Sequence, residues 1–224
     1  MKNLTLVIPA KKEKESLPSV LEELKNYELK IMVVLEKDDI ETIEAIKKFN
    51  CEILYQENKG YGDALIQGIN NVKTNMFCIF NADGSFNPKE LFEMYNKIDK
   101  ENLDLVFASR YEKDCSSEDD TWITFFGNFI FSKIGNIFFN LNISDILYTY
   151  VIGKTLSTQK LNLKKKDFTF CVELPIKAKR NNLQITTSKS NERARIAGRK
   201  KVNAIKDGFL ILIAMINLFF NKNN

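Results

Sequence analysis

The stretch Met76-Phe77-Cys78-Ile79-Phe80-Asn81-Ala82-Asp83-Gly84-Ser85 decides how the chain is read. Its first half is a continuous apolar run, the pattern of a parallel strand buried on both faces, and in open α/β sheets ligands gather at the carboxyl ends of such strands. Asp83 then delivers a carboxylate at that end. Gly84 lets the backbone turn, while Asn81 and Ser85 add neutral oxygens or hydrogen bonds, a set that suits a hard cation such as Mg²⁺ or Mn²⁺ serving a phosphate. The plainer alternative is turn chemistry between a strand and the helix opened by Pro88.

Upstream of this turn, strands and helices alternate. Leu4 to Ile8 reads as a strand ending at Pro9, followed by a helix from about Ser16; Lys30 to Leu35 and Cys51 to Tyr55 read as strands, Asp39 to Phe49 and Tyr61 to Asn70 as helices. Downstream, Pro88 to Ile98 is helical and Leu105 to Ser109 is a fifth strand. This rhythm predicts an α/β fold with a mostly parallel, doubly wound sheet flanked by helices.

After Arg110 the pattern changes. Glu112 to Asp120 is a polar, acidic loop, and Trp122 to Ile143 is helical and rich in Phe and Ile, with Gly127 and Gly135 as points of bending or division. Within it Asn128, Ser132, Asn136 and Asn140 recur every four residues, a narrow polar stripe along one face. Core packing is the first account of so much apolar surface, and an interfacial helix with its Phe side in lipid is the second. Further on, Tyr148 to Ile152 and Leu183 to Ser188 are strand-like, Phe168 to Ala178 is helical, and Val202 to Phe220 forms a final helix, basic at its start.

The composition narrows the chemistry. The 224 residues are 44% hydrophobic and 28% charged, which suits one sizeable core. There is no histidine, so Ser-His and Cys-His nucleophile pairs are excluded and any catalysis falls to carboxylates, a metal and cations. Cys51, Cys78, Cys115 and Cys171 lack Cys-x-x-Cys spacing, which argues against a zinc site or a disulfide framework and fits a reducing cytoplasm. The net charge of +4 conceals an asymmetry: Val151 to Lys206 holds fifteen Lys/Arg against three acids, leaving 18 basic and 26 acidic residues elsewhere. One region is thus suited to face anions while the other holds a metal. No signal peptide is expected. The longest apolar stretch, Phe209 to Phe220, is interrupted by Asn217 and falls short of a bilayer span.

Asn58-Lys59-Gly60-Tyr61-Gly62-Asp63 carries glycines where a strand yields to a helix, so backbone N–H groups can come close to a pyrophosphate or ribose. Taken with Leu6-Val7-Ile8-Pro9-Ala10, the Asn81-Ala82-Asp83-Gly84 turn and Phe107-Ala108-Ser109-Arg110-Tyr111, the set resembles family 2 glycosyltransferases of the GT-A fold. Within that family it is most similar to the branch of polyprenyl- and dolichyl-phosphate sugar synthases. Ile143-Ser144-Asp145-Ile146-Leu147, Phe170-Cys171-Val172-Glu173-Leu174 and Arg195-Ile196-Ala197-Gly198-Arg199-Lys200-Lys201 extend the resemblance over nearly the whole chain.

The resemblance implies a single GT-A unit over residues 1–224, with a nucleotide-sugar-binding half (1–111) and a basic, helical acceptor-side half (112–224). It implies an inverting transfer from a nucleoside-diphosphate sugar, assisted by Mg²⁺ or Mn²⁺, to a lipid-linked or cell-surface glycan acceptor such as a polyprenyl phosphate. Asp83 would hold the metal and Asp145 would position the acceptor, acting as general base if the acceptor is a hydroxyl. Pro9, Ala10, Glu13, Glu36, Gly60, Gly62 and Asn81 would frame the donor, and Arg195, Lys200 and Lys201 would clamp phosphate oxygens. The expected setting is cytoplasmic, with peripheral membrane contact through 122–143 or 209–220 and no nucleic-acid partner.

Three departures from the family pattern carry a competing reading. Lys11-Lys12 stand where Tyr-Asn is usual, Leu35-Glu36 where two aspartates are usual, and Asn81 where the metal motif has its first aspartate. A protein that kept the fold as a binding or scaffold module would show such changes. A sugar-phosphate nucleotidyltransferase, with a related sheet, ranks third because no glycine-rich basic loop follows the first strand.

Overall fold

The computed structural model describes residues 1–198 and 203–221. Seven strands form one sheet in the order β3-β2-β1-β4-β6-β5-β7, with β1 Leu4–Pro9, β2 Lys30–Leu35, β3 Glu52–Tyr55, β4 Met76–Ile79, β5 Leu105–Ser109, β6 Val151–Lys154 and β7 Ile185–Lys189. All neighbours pair in parallel except β6, which runs antiparallel to both β4 and β5. The mostly parallel α/β sheet expected from the alternating pattern is therefore present.

Because side chains alternate across a strand, each strand feeds two cores. Leu6, Ile8, Val33, Cys78 and Phe80 pack with helices α1 (Leu17–Leu24), α2 (Ile40–Ile46) and α4 (Leu91–Lys100). Val7, Val34, Phe77, Ile79 and Phe107 pack on the other face with α3 (Tyr61–Asn71), α7 (Phe170–Arg180) and α8 (Ala204–Phe220). Gly68 in α3 is dictated by this packing, since a Cβ there would lie 2.3 Å from the Val7 side chain.

The second half departs from the sequence reading in detail. Trp122–Phe139 is one undivided helix, α5, ended by Asn140 in the left-handed region at φ 54°. Gly135 serves close packing on Leu141 and Ile146, and Gly127 faces open space, so neither divides the helix. The strand expected at Tyr148 to Ile152 begins later, at Val151, because Tyr148 and Tyr150 turn into an aromatic cluster with Phe80 and Phe86. A short helix, α6 (Thr155–Gln159), follows β6 and was not anticipated.

Helix α5 is inverted relative to a helix of a water-soluble surface. The first three residues of its polar stripe face inward: the Asn128 amide donates to Asp145, Ser132 Oγ accepts from Ile146 N at 3.1 Å, and Asn136 Oδ1 accepts from Ile143 N at 2.9 Å. Outward it presents Trp122 (81% exposed), Phe126, Phe129, Ile130 and Ile137. Beside it α8 exposes Phe209, Ile213, Ile216 and Phe220, and the two helices meet through Phe138 and Phe219 at 5.7 Å between ring centroids. Among the described residues no helix is long and apolar enough to cross a membrane.

Candidate active site

The Asp83 turn stands where β4 ends beside β1. Pairing continues past the strand through Phe80 N to Val7 O at 3.0 Å, which fixes the direction in which the chain leaves the sheet. Asp83 Oδ1 accepts from Ser85 N at 3.0 Å and Ser85 Oγ at 2.7 Å, so the turn itself orients the carboxylate. Oδ2 faces Arg195 Nη2 at 3.7 Å. The Asn81 amide, alongside, donates to Ser85 Oγ at 3.4 Å.

The basic segment lies directly over this turn. Ile196 N donates to Asp83 O at 2.8 Å and Arg193 N to Ser85 O at 2.9 Å. Gly84 has φ 84°, and a Cβ there would meet the Ile196 side chain at 2.5 Å. Glycine is thus favoured by the left-handed backbone, and the Ile196 side chain fills the space a Cβ would take. Arg195 is aimed by Asp119, from the acidic loop after β5, through Nη2–Oδ2 at 2.9 Å and Nε–Oδ1 at 3.3 Å. The Asp119 hydrogen bond raises the Arg195 pKa above its ordinary value, so this cation is permanent. Lys200 and Lys201 lie outside the described residues.

The donor-side candidates gather at the ends of β1 and β2. Pro9 closes β1, and Ala10 N donates to Val34 O at 2.9 Å. Glu13 accepts from Ser16 Oγ at 2.7 Å, and its backbone N–H donates to Thr42 Oγ1 at 3.0 Å. Glu36 pairs with Lys11 at 2.8 Å and has Lys59 at 4.0 Å. Lys11, which departs from the family pattern, therefore sits as an ammonium against Glu36, the one carboxylate kept at the end of β2. Gly60 and Gly62 admit a different neighbour from the one expected. Cβ atoms there would lie 2.1 Å from Lys166 O and 2.2 Å from Lys165 O, so what approaches their backbone is the 165–167 segment, tied down by Asp63 N to Lys166 O at 3.0 Å.

Asp145 lies in a buried ion-pair network. Its side chain is 0% exposed, and its carboxylate accepts from Arg110 Nε (2.8 Å), Arg110 Nη2 (3.0 Å), Arg110 N (3.0 Å) and the Asn128 amide. A carboxylate so enclosed and so fully engaged is turned to Arg110 and Asn128 rather than to open space. It fixes Arg110, whose Nη1 reaches Glu192 at 3.0 Å. Burial opposes the Arg110 charge, but Asp145 outweighs it and the guanidinium is held well above its ordinary pKa. Glu192 is raised by burial, a shift that Arg110 partly offsets. Glu192 also receives Ser117 Oγ, and Glu118 N donates to Glu192 O at 3.0 Å, which joins the acidic loop to the segment carrying Arg195. Asp119, Arg110 and Glu192 were not nominated from the sequence, and only the Asn128 stripe hinted at a buried polar partner.

Glu173, in the motif shared with the family, is likewise internal. It accepts from Lys164 N and Lys165 N and pairs with Lys177 at 3.0 Å. Among the described residues no group of three or more acidic, Cys or His side chains could hold a metal by itself. Asp83 fits a cation bound by one carboxylate and completed by substrate phosphate oxygens, the usual habit of Mg²⁺.

Comparisons with known proteins bear on the family and the fold. An uncharacterized glycosyltransferase of Mycobacterium tuberculosis is 30% identical over 108 residues, covering 48% of each chain. One of Rickettsia prowazekii is 30% identical over 115 residues, 49% of this chain and 36% of that protein. The chain thus spans about half the length, or less, of the curated relatives it matches. In fold it is similar to glucosyl-3-phosphoglycerate synthase of M. tuberculosis, solved with Mn²⁺, uridine diphosphate and glucosyl-3-phosphoglycerate, at TM-score 0.76 and 12% identity over 97% of this chain and 80% of that one. Mannosyl-3-phosphoglycerate synthase of Rubrobacter xylanophilus gives TM-score 0.69 and 12% identity over 98% of this chain and 73% of that one. These structures bear out the GT-A sheet. Residues 5–161, more than half of the chain, match the pattern described as "Glycosyl transferase family 2", and the chain belongs to that family.

Proposed function

We propose that this chain is an inverting glycosyltransferase that moves a sugar from a nucleoside-diphosphate sugar to a lipid-linked or cell-surface glycan acceptor, with residues 1–224 acting as one unit. The observation that carries the reading is the opposition of Asp83 and Arg195, 3.7 Å apart, at the carboxyl end of a central strand. A diphosphate entering there would part this ion pair, meeting the permanent cation of Arg195 on one side and the Asp83 carboxylate, through a divalent metal, on the other. Asp83, with Asn81 beside it, would hold Mg²⁺ or Mn²⁺, which would supply charge neutralisation for a departing diphosphate. Arg195, held by Asp119, stabilises the same charge through hydrogen bonds. Ser85 keeps the Asp83 carboxylate oriented. The uridine diphosphate and Mn²⁺ of the M. tuberculosis synthase make UDP-sugars with Mn²⁺ the first donors to try.

Two features favour an anionic lipid acceptor. With Asp145 sealed away and no histidine in the chain, an acceptor that is already an anion, such as a polyprenyl phosphate, needs no base. The inverted helix α5 offers an apolar face for the membrane surface while its inner stripe reaches the Arg110 network. Asp83→Ala is expected to abolish metal-dependent donor turnover while leaving the circular-dichroism spectrum and melting transition in place; retained turnover removes Asp83 from the mechanism.

The Lys11–Glu36 pair favours one alternative, a binding module that has lost catalysis, because it occupies the carboxylate on the nucleoside side. Calorimetric titration with UDP-, GDP- and dTDP-sugars in the presence of Mn²⁺ separates the two. Absence of heat with all three favours a non-catalytic protein.

A further inference from the structure

Between α7, α8 and the 161–167 segment lies a pocket of about 390 Å³, lined by Lys164, Lys165, Glu173, Lys177, Asn217 and Asn221. Its carboxylate is committed internally, since Glu173 pairs with Lys177 at 3.0 Å and accepts the backbone N–H groups of Lys164 and Lys165. Lys177 donates onward to Asn162 O at 2.6 Å. The ammonium groups of Lys164 and Lys165 have no carboxylate within ion-pair distance among the described residues. The pocket therefore carries two uncompensated positive charges. Its place matters as much as its charge. Asn217 lies on α8 and Asn221 caps its end, and Ile213, Ile216 and Phe220 lie next to the Asn217 face and are exposed. The cations thus border the apolar surface that α8 shares with α5.

We propose that this pocket seats the phosphate-bearing headgroup of an anionic phospholipid while the exposed faces of α5 and α8 enter the acyl boundary. The proposal rests on the membrane reading above. Lys164 and Lys165 donate to the phosphate oxygens, and the Asn217 and Asn221 amides complete the donor set. A second copy pressed onto the same surface would leave these charges unneutralised, which favours lipid as the occupant.

The test is co-sedimentation of the full chain with phosphatidylcholine vesicles, with and without phosphatidylglycerol. Lysine near an anionic surface contributes about fivefold each, so K164Q/K165Q is expected to weaken binding to the phosphatidylglycerol vesicles about 30-fold. Binding to phosphatidylcholine alone should not change. The control K48Q/K89Q removes two exposed lysines from the opposite side of the sheet and should have little effect. An equal loss in K48Q/K89Q, or an undiminished preference in K164Q/K165Q, overturns the pocket. So does binding of inorganic phosphate, protected by Lys164 and Lys165, without any preference for the anionic vesicles. A wild-type chain that ignores both vesicle types, or that light scattering finds paired through α8, defeats the membrane reading itself.

Discussion

Asp145→Asn probes the buried network most directly. The substitution keeps the shape of the side chain but removes the charge that receives Arg110 Nε at 2.8 Å and Nη2 at 3.0 Å, at a site with no solvent exposure. Arg110, itself only 11% exposed, would retain Glu192 as its remaining carboxylate partner. Removing one partner of a buried pair costs about 3–5 kcal/mol, because the other charge stays desolvated. For a chain of this size that corresponds to a fall in melting temperature of roughly 6–20 °C. Calorimetry measures the fall, and Arg110→Met/Asp145→Leu completes the cycle, with most of the stability expected to return when both charges are gone. Turnover should drop in Asp145→Asn through misplacement of the Glu192 and Ser117 contacts, with the shape of its pH profile preserved. The reasoning fails if Asp145→Asn melts within about 2 °C of the parent, or if it erases a basic limb of the pH profile while stability is unchanged. The second outcome would support Asp145 as a base.

Other consequences are as concrete. Gly62→Ala drives a methyl against Lys165 O and Asp167 O, at 2.2 and 2.6 Å, and should destabilise by at least about 2 kcal/mol in urea unfolding, whether or not donor is present. Arg195→Ala should lower kcat by about 10²–10³-fold, with Asp119→Asn following the same direction less steeply, as steady-state kinetics would measure. Burial raises the Glu90 and Glu192 carboxyls above their ordinary value of 4.5. The native state then binds protons more tightly than the unfolded chain, so stability should decline as pH rises from about 4.5 through the raised values. Denaturant midpoints across that window check the slope, and Glu90→Gln should flatten it.

The parallel part of the sheet was legible because each strand is a short apolar run bounded by turn residues, and such signals are local. Asp83 was legible for the same reason, as a carboxylate at a strand end. What approaches it was not. Arg195 entered through resemblance to a family motif, but its orienting partner Asp119 lies 76 positions away in a loop with no periodic pattern. Asp145 shows where the sequence runs out. A lone aspartate between apolar residues reads equally as a cap, a ligand or a base, and only the tertiary placement of Asn128 and Arg110 reveals it as one half of a buried pair. Gly60 and Gly62 were correctly read as sites of close backbone approach, yet the approaching group is the 165–167 segment, which sequence spacing does not disclose.

The reversed strand β6 has a consequence for biosynthesis. It fills the gap between β4 and β5, two strands made well before it. While a nascent chain is emerging, β5 has neither of its sheet neighbours, and its buried Leu105, Val106 and Phe107 must wait for Val151–Lys154 and Ile185–Lys189 to leave the ribosome. Such long-range closure is slow and exposes strand edges in the interval. A chain cut after Ser109 would leave β5 without its sheet partners, so this connectivity postpones closure of the sheet until most of the chain has been made.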